Sequence, residues 1–79
     1  MGNCKAYIIK GARGTPDNVE ICYLKVLYTS LLETTGTVWF AKFILSKNRA
    51  QQIKEKCEKI DNNFTWIIQE VEMLAPKDI

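Results

Sequence analysis

The feature that most constrains how this chain can fold is one amphipathic helix pattern set between two apolar segments, within residues 37–74. Residues 46–60 carry apolar side chains at spacings of three and four, which place them on one face of an α-helix. Ser46 precedes this pattern and is a good N-cap, because its hydroxyl can accept a hydrogen bond from a free backbone N–H of the first turn. One helix with a single apolar face needs a sheet to pack against, so the pattern predicts a small α+β domain. The apolar face consists of Ala50, Ile53, Cys57 and Ile60.

Four segments rich in β-branched and aromatic residues predict strands, at residues 4–10, 19–28, 37–44 and 64–73. Residues 11–18 contain glycine, proline and an Asp-Asn pair, and predict a loop. Residues 29–36, which precede the third strand, fit either a helical turn or the widened arm of a hairpin. The order β-β-β-α-β predicts one helix packed on a mainly antiparallel sheet of three or four strands. The strand-helix-strand connection predicts that the third and fourth strands run parallel if they share the sheet.

The length and the cysteine content limit the class of protein. The 79 residues allow one domain, which we expect to span residues 1–79 with residues 75–79 as a flexible tail. The composition, 47% hydrophobic and 25% charged, is typical of a globular protein. There is no apolar run long enough to cross a membrane and no signal-peptide pattern. The cysteines are widely spaced and odd in number, which indicates reduced thiols, small core residues and a cytoplasmic location. They are Cys4, Cys22 and Cys57.

The side chains on which enzymes and metal sites depend are scarce in this sequence. There is no histidine, which is the commonest general base and the commonest metal ligand. The cysteines lack the Cys-x-x-Cys spacing of structural zinc sites. Glu70 and Glu72 would lie side by side on one strand face rather than across a cleft. We therefore expect no catalytic residue, no metal site and no cofactor, in a protein that is not an enzyme.

Aromatic residues are concentrated in the second, third and fourth predicted strands. Consecutive Trp39 and Phe40 must point to opposite faces of a strand, and one helix can cover only one face of the sheet. Some aromatic side chains are therefore left either in a core shared with residues 29–36 or on an exposed apolar surface that binds a partner. The residues predicted to bind a protein partner are Trp39, Trp66, Tyr23 and Phe64.

About half of the chain carries a resemblance. Residues 39–53 read Trp-Phe-Ala-Lys-Phe-Ile-Leu-Ser-Lys-Asn-Arg-Ala-Gln-Gln-Ile, and residues 67–72 read Ile-Ile-Gln-Glu-Val-Glu. This pattern resembles many small uncharacterised proteins of phages and mobile elements of low-GC bacteria, in which an aromatic strand leads through Ser-Lys to a short helix and a Val- and Glu-rich strand. The chain departs from them at the helix start, where Asn48 and Arg49 replace the usual Glu or Asp. The resemblance implies a small stand-alone protein that inhibits or redirects a host protein.

Two functions fit these observations. The first is a non-enzymatic protein–protein interaction module, of the phage type that modulates or inhibits a host or defence protein, with edge-strand pairing as a second mode. The alternative is a single-stranded nucleic-acid-binding protein, in which sheet aromatics stack on bases and basic residues follow the backbone. The net charge of +2 gives this alternative little support. A sheet that one helix cannot cover on both sides also predicts a homodimer. The basic residues of the alternative are Lys5, Lys10, Arg13, Lys25 and Lys42.

Overall fold

The computed structural model of the chain describes residues 3–74. The elements in chain order are β1 (Asn3–Thr15), β2 (Asn18–Leu27), β3 (Leu32–Thr35), a 3₁₀ turn (Val38–Phe40), α1 (Lys47–Ile60) and β4 (Thr65–Leu74). The sheet has the order β3-β2-β1-β4, and each pair of neighbours is antiparallel. One helix packs on this four-stranded sheet, which confirms the predicted α+β fold. The predicted tail, residues 75–79, lies outside the described residues.

The helix forms where the sequence predicts it. The Ser46 hydroxyl oxygen accepts a hydrogen bond from the backbone N–H of Arg49 at 3.3 Å, which caps the first turn. Three residues of the predicted apolar face are buried and the fourth is half-buried. This face packs on the central strands of the sheet and on the segment that precedes α1. Its partners in the core are Ile9, Cys22, Leu24, Ile44 and Trp66.

The third strand is not where the sequence predicts it. The prediction of a strand over residues 37–44 is wrong, because β3 ends at Thr35 and Val38–Phe40 is a 3₁₀ turn. The Thr37 hydroxyl oxygen accepts a hydrogen bond from the backbone N–H of Trp39 at 3.4 Å. The backbone N–H of Phe40 then donates to the carbonyl oxygen of Thr37 at 3.3 Å. These local bonds close a turn, and they outweigh the β-propensity of Val-Trp-Phe.

The third and fourth strands are also not parallel. β4 pairs with β1 at the opposite edge of the sheet from β3, and the alternation of directions makes β3 and β4 antiparallel. The predicted crossover, however, ran from residues 37–44 to the last strand. The bridge between Tyr7 and Ile44 is antiparallel to β1, as β4 is, so the chain at Ile44 and β4 run in the same direction on opposite sides of β1. The predicted parallel direction therefore holds for Ile44 and β4, although residues 37–44 do not form a strand of the sheet.

The first loop is shorter than the sequence predicts. β1 continues through Gly11 to Thr15, and the turn to β2 consists of Pro16 and Asp17. Proline suits the second position of a type I or type II turn. Gly14, next to the turn, has a φ of 115°, a conformation that glycine adopts without strain. The prediction of a loop over residues 11–18 is therefore wrong for residues 11–15 and for Asn18, where β2 begins.

Gly11 is needed because the Trp66 ring lies against it. The two residues are direct partners in the β1–β4 register. A Cβ atom on Gly11 would lie 2.8 Å from Cζ3 of Trp66, closer than real side chains approach. The Trp66 indole N–H donates to the carbonyl oxygen of Asp61 at 2.7 Å, which fixes the ring over the glycine. Only 2% of Trp66 is exposed, so this ring is the largest buried side chain of the core.

The segment between the 3₁₀ turn and α1 fills a gap in the sheet. β2 pairs with β1 from Lys10 to Thr15, and no further towards the start of β1. Beyond this point the backbone N–H of Lys42 donates to the carbonyl oxygen of Leu24 at 2.8 Å. Tyr7 and Ile44 exchange two backbone hydrogen bonds, of 2.7 and 2.9 Å. The segment thereby pairs backbone groups that β1 and β2 leave free where they diverge.

Candidate protein-binding surface

The sheet has one face under α1 and one face that no helix or strand of the described residues covers. The smallest dimension of the molecule is 17 Å, which corresponds to one helix layer on one sheet. Ile9, Cys22 and Trp66 lie under α1. Directly paired residues on adjacent strands share a face, and successive residues along one strand alternate between faces. The residues before and after these three in their strands, and the partners of those residues, therefore lie on the other face. The residues that form this open face are Ala6, Ile8, Lys10, Ala12, Val19, Ile21, Tyr23, Thr65, Ile67, Gln69 and Val71.

The open face is mostly apolar, and Lys10 is the one charged residue among its described side chains on β1, β2 and β4. Val19, Ile21 and Ile67 are each roughly half exposed. The two residues at the centre of the face on β1, an alanine and an isoleucine, are buried. The exposed aliphatic side chains therefore lie opposite residues 10–14 of β1, next to a buried apolar section at Ala6 and Ile8, a distribution that fits an interaction surface.

Most strand carboxylates lie on the helix side of the sheet, away from the open face. Glu20 forms an ion pair with Arg13 at 2.9 Å, and Glu70 forms one with Lys5 at 3.7 Å. Glu33 on β3 is different, because its register with β2 places it at the edge of the open face. Its carboxylate accepts a hydrogen bond from the Tyr28 hydroxyl at 3.1 Å. The electrostatic character of the open face is therefore set by its lysine rather than by acidic groups.

An exposed apolar segment, residues 39–45, adjoins the open face. Of the Trp39 side chain 82% is exposed, and of Leu45 74%. Ile44 points into the core under α1, so strand alternation directs Phe43 and Leu45 to the other side of the sheet. The antiparallel bridge places them beside Ile8 and Ala6 of the open face. The segment therefore extends the open face with further exposed hydrophobic side chains.

The four residues predicted to bind a protein partner divide into two pairs. Trp39 is exposed in the apolar segment, and Tyr23 is half-buried on the open face. Trp66 is buried in the core under α1, and Phe64 is half-buried against it, with the ring centroids 5.4 Å apart. The Arg13 guanidinium lies 4.6 Å from the centre of the Phe64 ring and covers it. The first pair is available to a partner, whereas the second pair belongs to the core and its margin.

The basic residues of the nucleic-acid alternative do not form one surface. Lys5 and Arg13 lie on the helix side of the sheet and are held in ion pairs. Lys10 is half-buried on the open face, and Lys25 is exposed at the irregularity between β2 and β3. Lys42 lines a groove beside α1. The sheet therefore separates these five residues rather than bringing them together.

A groove that lies beside α1 was not predicted from the sequence. The groove encloses about 260 Å³, and Lys42, Arg49 and Lys56 line it together with Tyr28 and Gln52. The three helix residues of this set, Arg49, Gln52 and Lys56, are spaced by three and four residues. Each directly precedes a residue of the buried face in the sequence, so all three lie along one side of that face. That spacing was the signal that could have found them. Lys42 could not have been found in this way, because it reaches the groove from another part of the chain.

Two free thiols lie in the core. Cys22 and Cys57 are buried under α1, and burial raises the pKa of both, that of Cys57 to about 11. The neighbouring carboxylate of Glu58 raises the pKa of Cys57 further. A buried neutral thiol behaves as a small hydrophobic side chain rather than as a nucleophile. No group of three or more His, Cys, Asp or Glu side chains among the described residues is arranged to hold a metal ion.

We expect the native protein to protect Cys57 from alkylation. Because the folded-state pKa is raised to about 11 from 9.0, the thiolate fraction at pH 8 falls about a hundredfold, in addition to the steric effect of burial. The same shift stabilises the fold fully below pH 9 and is lost as the pH rises through about 11. Iodoacetamide labelling followed by peptide mass spectrometry measures the rate. Equal labelling rates in the native and the urea-unfolded chain would contradict the burial of this thiol.

Comparison of the chain with protein-family models, with curated proteins and with solved structures found no match. Within the described part of the chain, α1 is neither long nor apolar enough to cross a membrane.

Proposed function

We propose that this chain is a non-enzymatic protein–protein interaction module, and that a partner protein binds the open face together with the apolar segment. The observation that carries the proposal is that both parts of the surface present exposed hydrophobic side chains, and that they meet where the bridge places Phe43 and Leu45 beside Ile8 and Ala6. Single exposed hydrophobic residues are ordinary on any protein, but a contiguous patch is typical of a binding site. Exposed tryptophan also fits this role, since tryptophan is enriched among the residues that dominate binding energy.

Charge indicates what kind of partner fits the open face. A symmetric dimer through this face would bring two copies of Lys10 into one interface, and the face supplies only Glu33, at its far edge and bonded to Tyr28, as a carboxylate. An uncompensated charge is costly when water is removed. The open face therefore fits an apolar surface of another protein that carries a carboxylate opposite Lys10. That this partner is a host or defence protein, as the phage resemblance implies, stays a prediction.

The predicted homodimer fits the edge of the sheet better than its open face. β4 has ten residues and, within the described part of the chain, pairs with a strand on one side alone. A long edge strand without proline or lysine is a template for pairing with another strand. We therefore expect a dimer through antiparallel pairing of two β4 strands. Light scattering at high micromolar concentration measures it, and a strictly monomeric mass would contradict it.

Affinity purification with matched variants tests the proposed function. The tagged protein is compared with Ile21→Lys/Ile67→Lys, which places two positive charges on the open face, and with Asn48→Lys/Gln51→Lys, which places two positive charges on exposed positions of α1. We expect one protein to be recovered in stoichiometric amount with the parent chain and with the helix variant. The same protein should be lost with the open-face variant, because both introduced lysines would be buried in the interface.

Circular dichroism of both variants shows whether each remains folded, which separates loss of binding from loss of structure. Recovery of the same partner by all three proteins would contradict an interface on the open face. If the parent chain recovers no stoichiometric protein, the proposal that it is an interaction module is overturned.

A further inference from the structure

We propose that the groove beside α1 binds the phosphate backbone of a single-stranded nucleic acid. This site lies on the helix side of the sheet, apart from the open face, and goes beyond the proposed function. The groove runs between the end of β2 and α1 and encloses about 260 Å³. A neighbouring depression continues it along α1, and the two share Tyr28, Thr29 and Lys56. Together they form an elongated and open channel rather than an enclosed pocket for one small molecule.

The channel collects cations from two parts of the chain. Lys42 approaches from the segment before α1, and Arg49, Lys56 and Lys59 come from one side of the helix. None of these four residues takes part in an ion pair found among the described residues. Like charges gathered in one groove repel each other, so an anion bound there would relieve an unfavourable interaction.

The acidic residues of α1 are held away from the channel. Glu58 forms an ion pair with Lys54 at 3.0 Å, and Glu55 accepts a hydrogen bond from the Gln51 amide at 3.2 Å. No described residue that lines the channel is acidic. One residue that lines the channel is hydrogen-bonded to a carboxylate, because the Tyr28 hydroxyl donates to Glu33. The polar side chains that α1 contributes to the channel are therefore basic or neutral, while its two carboxylates are bonded to other side chains of the helix.

The length of the channel and its aromatic residue favour a nucleic-acid strand over other anions. Arg49 and Lys59 are ten residues apart on α1, which corresponds to a rise of about 15 Å, enough for several phosphates in succession. Tyr28 is half exposed and contributes to both parts of the channel, where its ring can stack on a base. Cations that follow the backbone next to an aromatic ring are the combination by which proteins hold single strands without sequence preference.

Fluorescence anisotropy with a labelled thymidine strand of about 20 nucleotides tests the proposal, since such strands span the usual site sizes. The groove variant Arg49→Gln/Lys56→Gln is compared with Lys25→Gln/Lys47→Gln. Both variants remove two positive charges, but Lys25 and Lys47 are exposed, do not line the channel and take part in no ion pair found among the described residues. We expect binding at low salt, and a slope of log affinity against log salt that is less steep by about 1.4 in the groove variant, since each lost phosphate contact contributes about 0.7.

The control variant should keep the salt slope and the affinity of the parent chain. Absence of binding at low salt would overturn the proposal, as would equal losses in the two variants. Polyglutamate is used as a competing anion of another class. If it displaces the strand at equal charge concentration, the groove is a general anion site and the assignment to nucleic acid fails. If Tyr28→Ala also weakens strand binding while polyglutamate does not compete, stacking and phosphate contacts act together as proposed.

Discussion

Trp66→Ala is expected to lower the free energy of unfolding by about 3–5 kcal/mol, whereas Trp39→Ala should change it by about 0.5 kcal/mol or less. Trp66 is buried over Gly11, and its removal leaves a cavity and a carbonyl of Asp61 without its partner. Trp39 is the other tryptophan of the chain and is exposed at the 3₁₀ turn. A domain of this size has a total stability of only about 5 kcal/mol, so the first variant should be largely unfolded.

Urea unfolding followed by far-ultraviolet circular dichroism measures both variants, since each substitution removes one of the two tryptophans on which a fluorescence signal would depend. The parent chain and Trp39→Ala should share one midpoint. A midpoint of Trp66→Ala close to that of the parent chain would mean that this ring is not part of the core, and that the face under α1 is assigned incorrectly.

Ile53→Asp is expected to unfold the domain. Ile53 is buried where α1 packs on the sheet, and an unpaired carboxylate in that position costs several kcal/mol. Lys56→Asp is the matched control, because it introduces the same side chain at an exposed position of the same helix. We expect it to cost roughly 0.5 kcal/mol or less. Thermal melts measure both, and equal melting temperatures would show that α1 does not pack through this face.

The helix could be predicted because its signals are local. The N-cap at Ser46 and the spacing of the apolar residues lie within one short stretch, and the backbone bonds of a helix form within it. The third strand could not be predicted in the same way, because Val38–Phe40 is a turn closed by the Thr37 side chain. The segment before α1 is extended by hydrogen bonds to Tyr7 and Leu24, which are distant in sequence.

Alternation along the chain places Phe64, Trp66 and Ile68 on one side, and all three belong to the core under α1 or pack against it. It could not say which face, because both faces of this strand carry apolar residues. The register with β1 decides it, since the glycine at position 11 makes room for the Trp66 ring on the helix side. Because that glycine was taken for part of a loop, this partner could not be recognised from the sequence.

The existence of an uncovered face followed from having one helix, but its residues did not. Tyr23 and Trp39 were among the predicted contacts and are accessible, whereas Ile21 and Ile67 were not singled out, because aliphatic residues in a strand are ordinarily taken for core. The basic channel could not be predicted from the sequence, because its residues come together only in the folded chain. Lys42 meets the helix residues only after residues 41–44 have entered the gap between β1 and β2.

Site-specific photo-cross-linking tests the central claim most directly, because it asks whether another protein touches the proposed surface. A benzophenone amino acid replaces Trp39 in the apolar segment, or Gln51 on the exposed side of α1 as the control. We expect irradiation to yield a covalent adduct with one other protein from position 39 and none from position 51, and the adduct should disappear when Ile21→Lys/Ile67→Lys is added. No adduct at position 39, or the same adduct from both positions, would contradict a binding surface formed by the open face and the apolar segment.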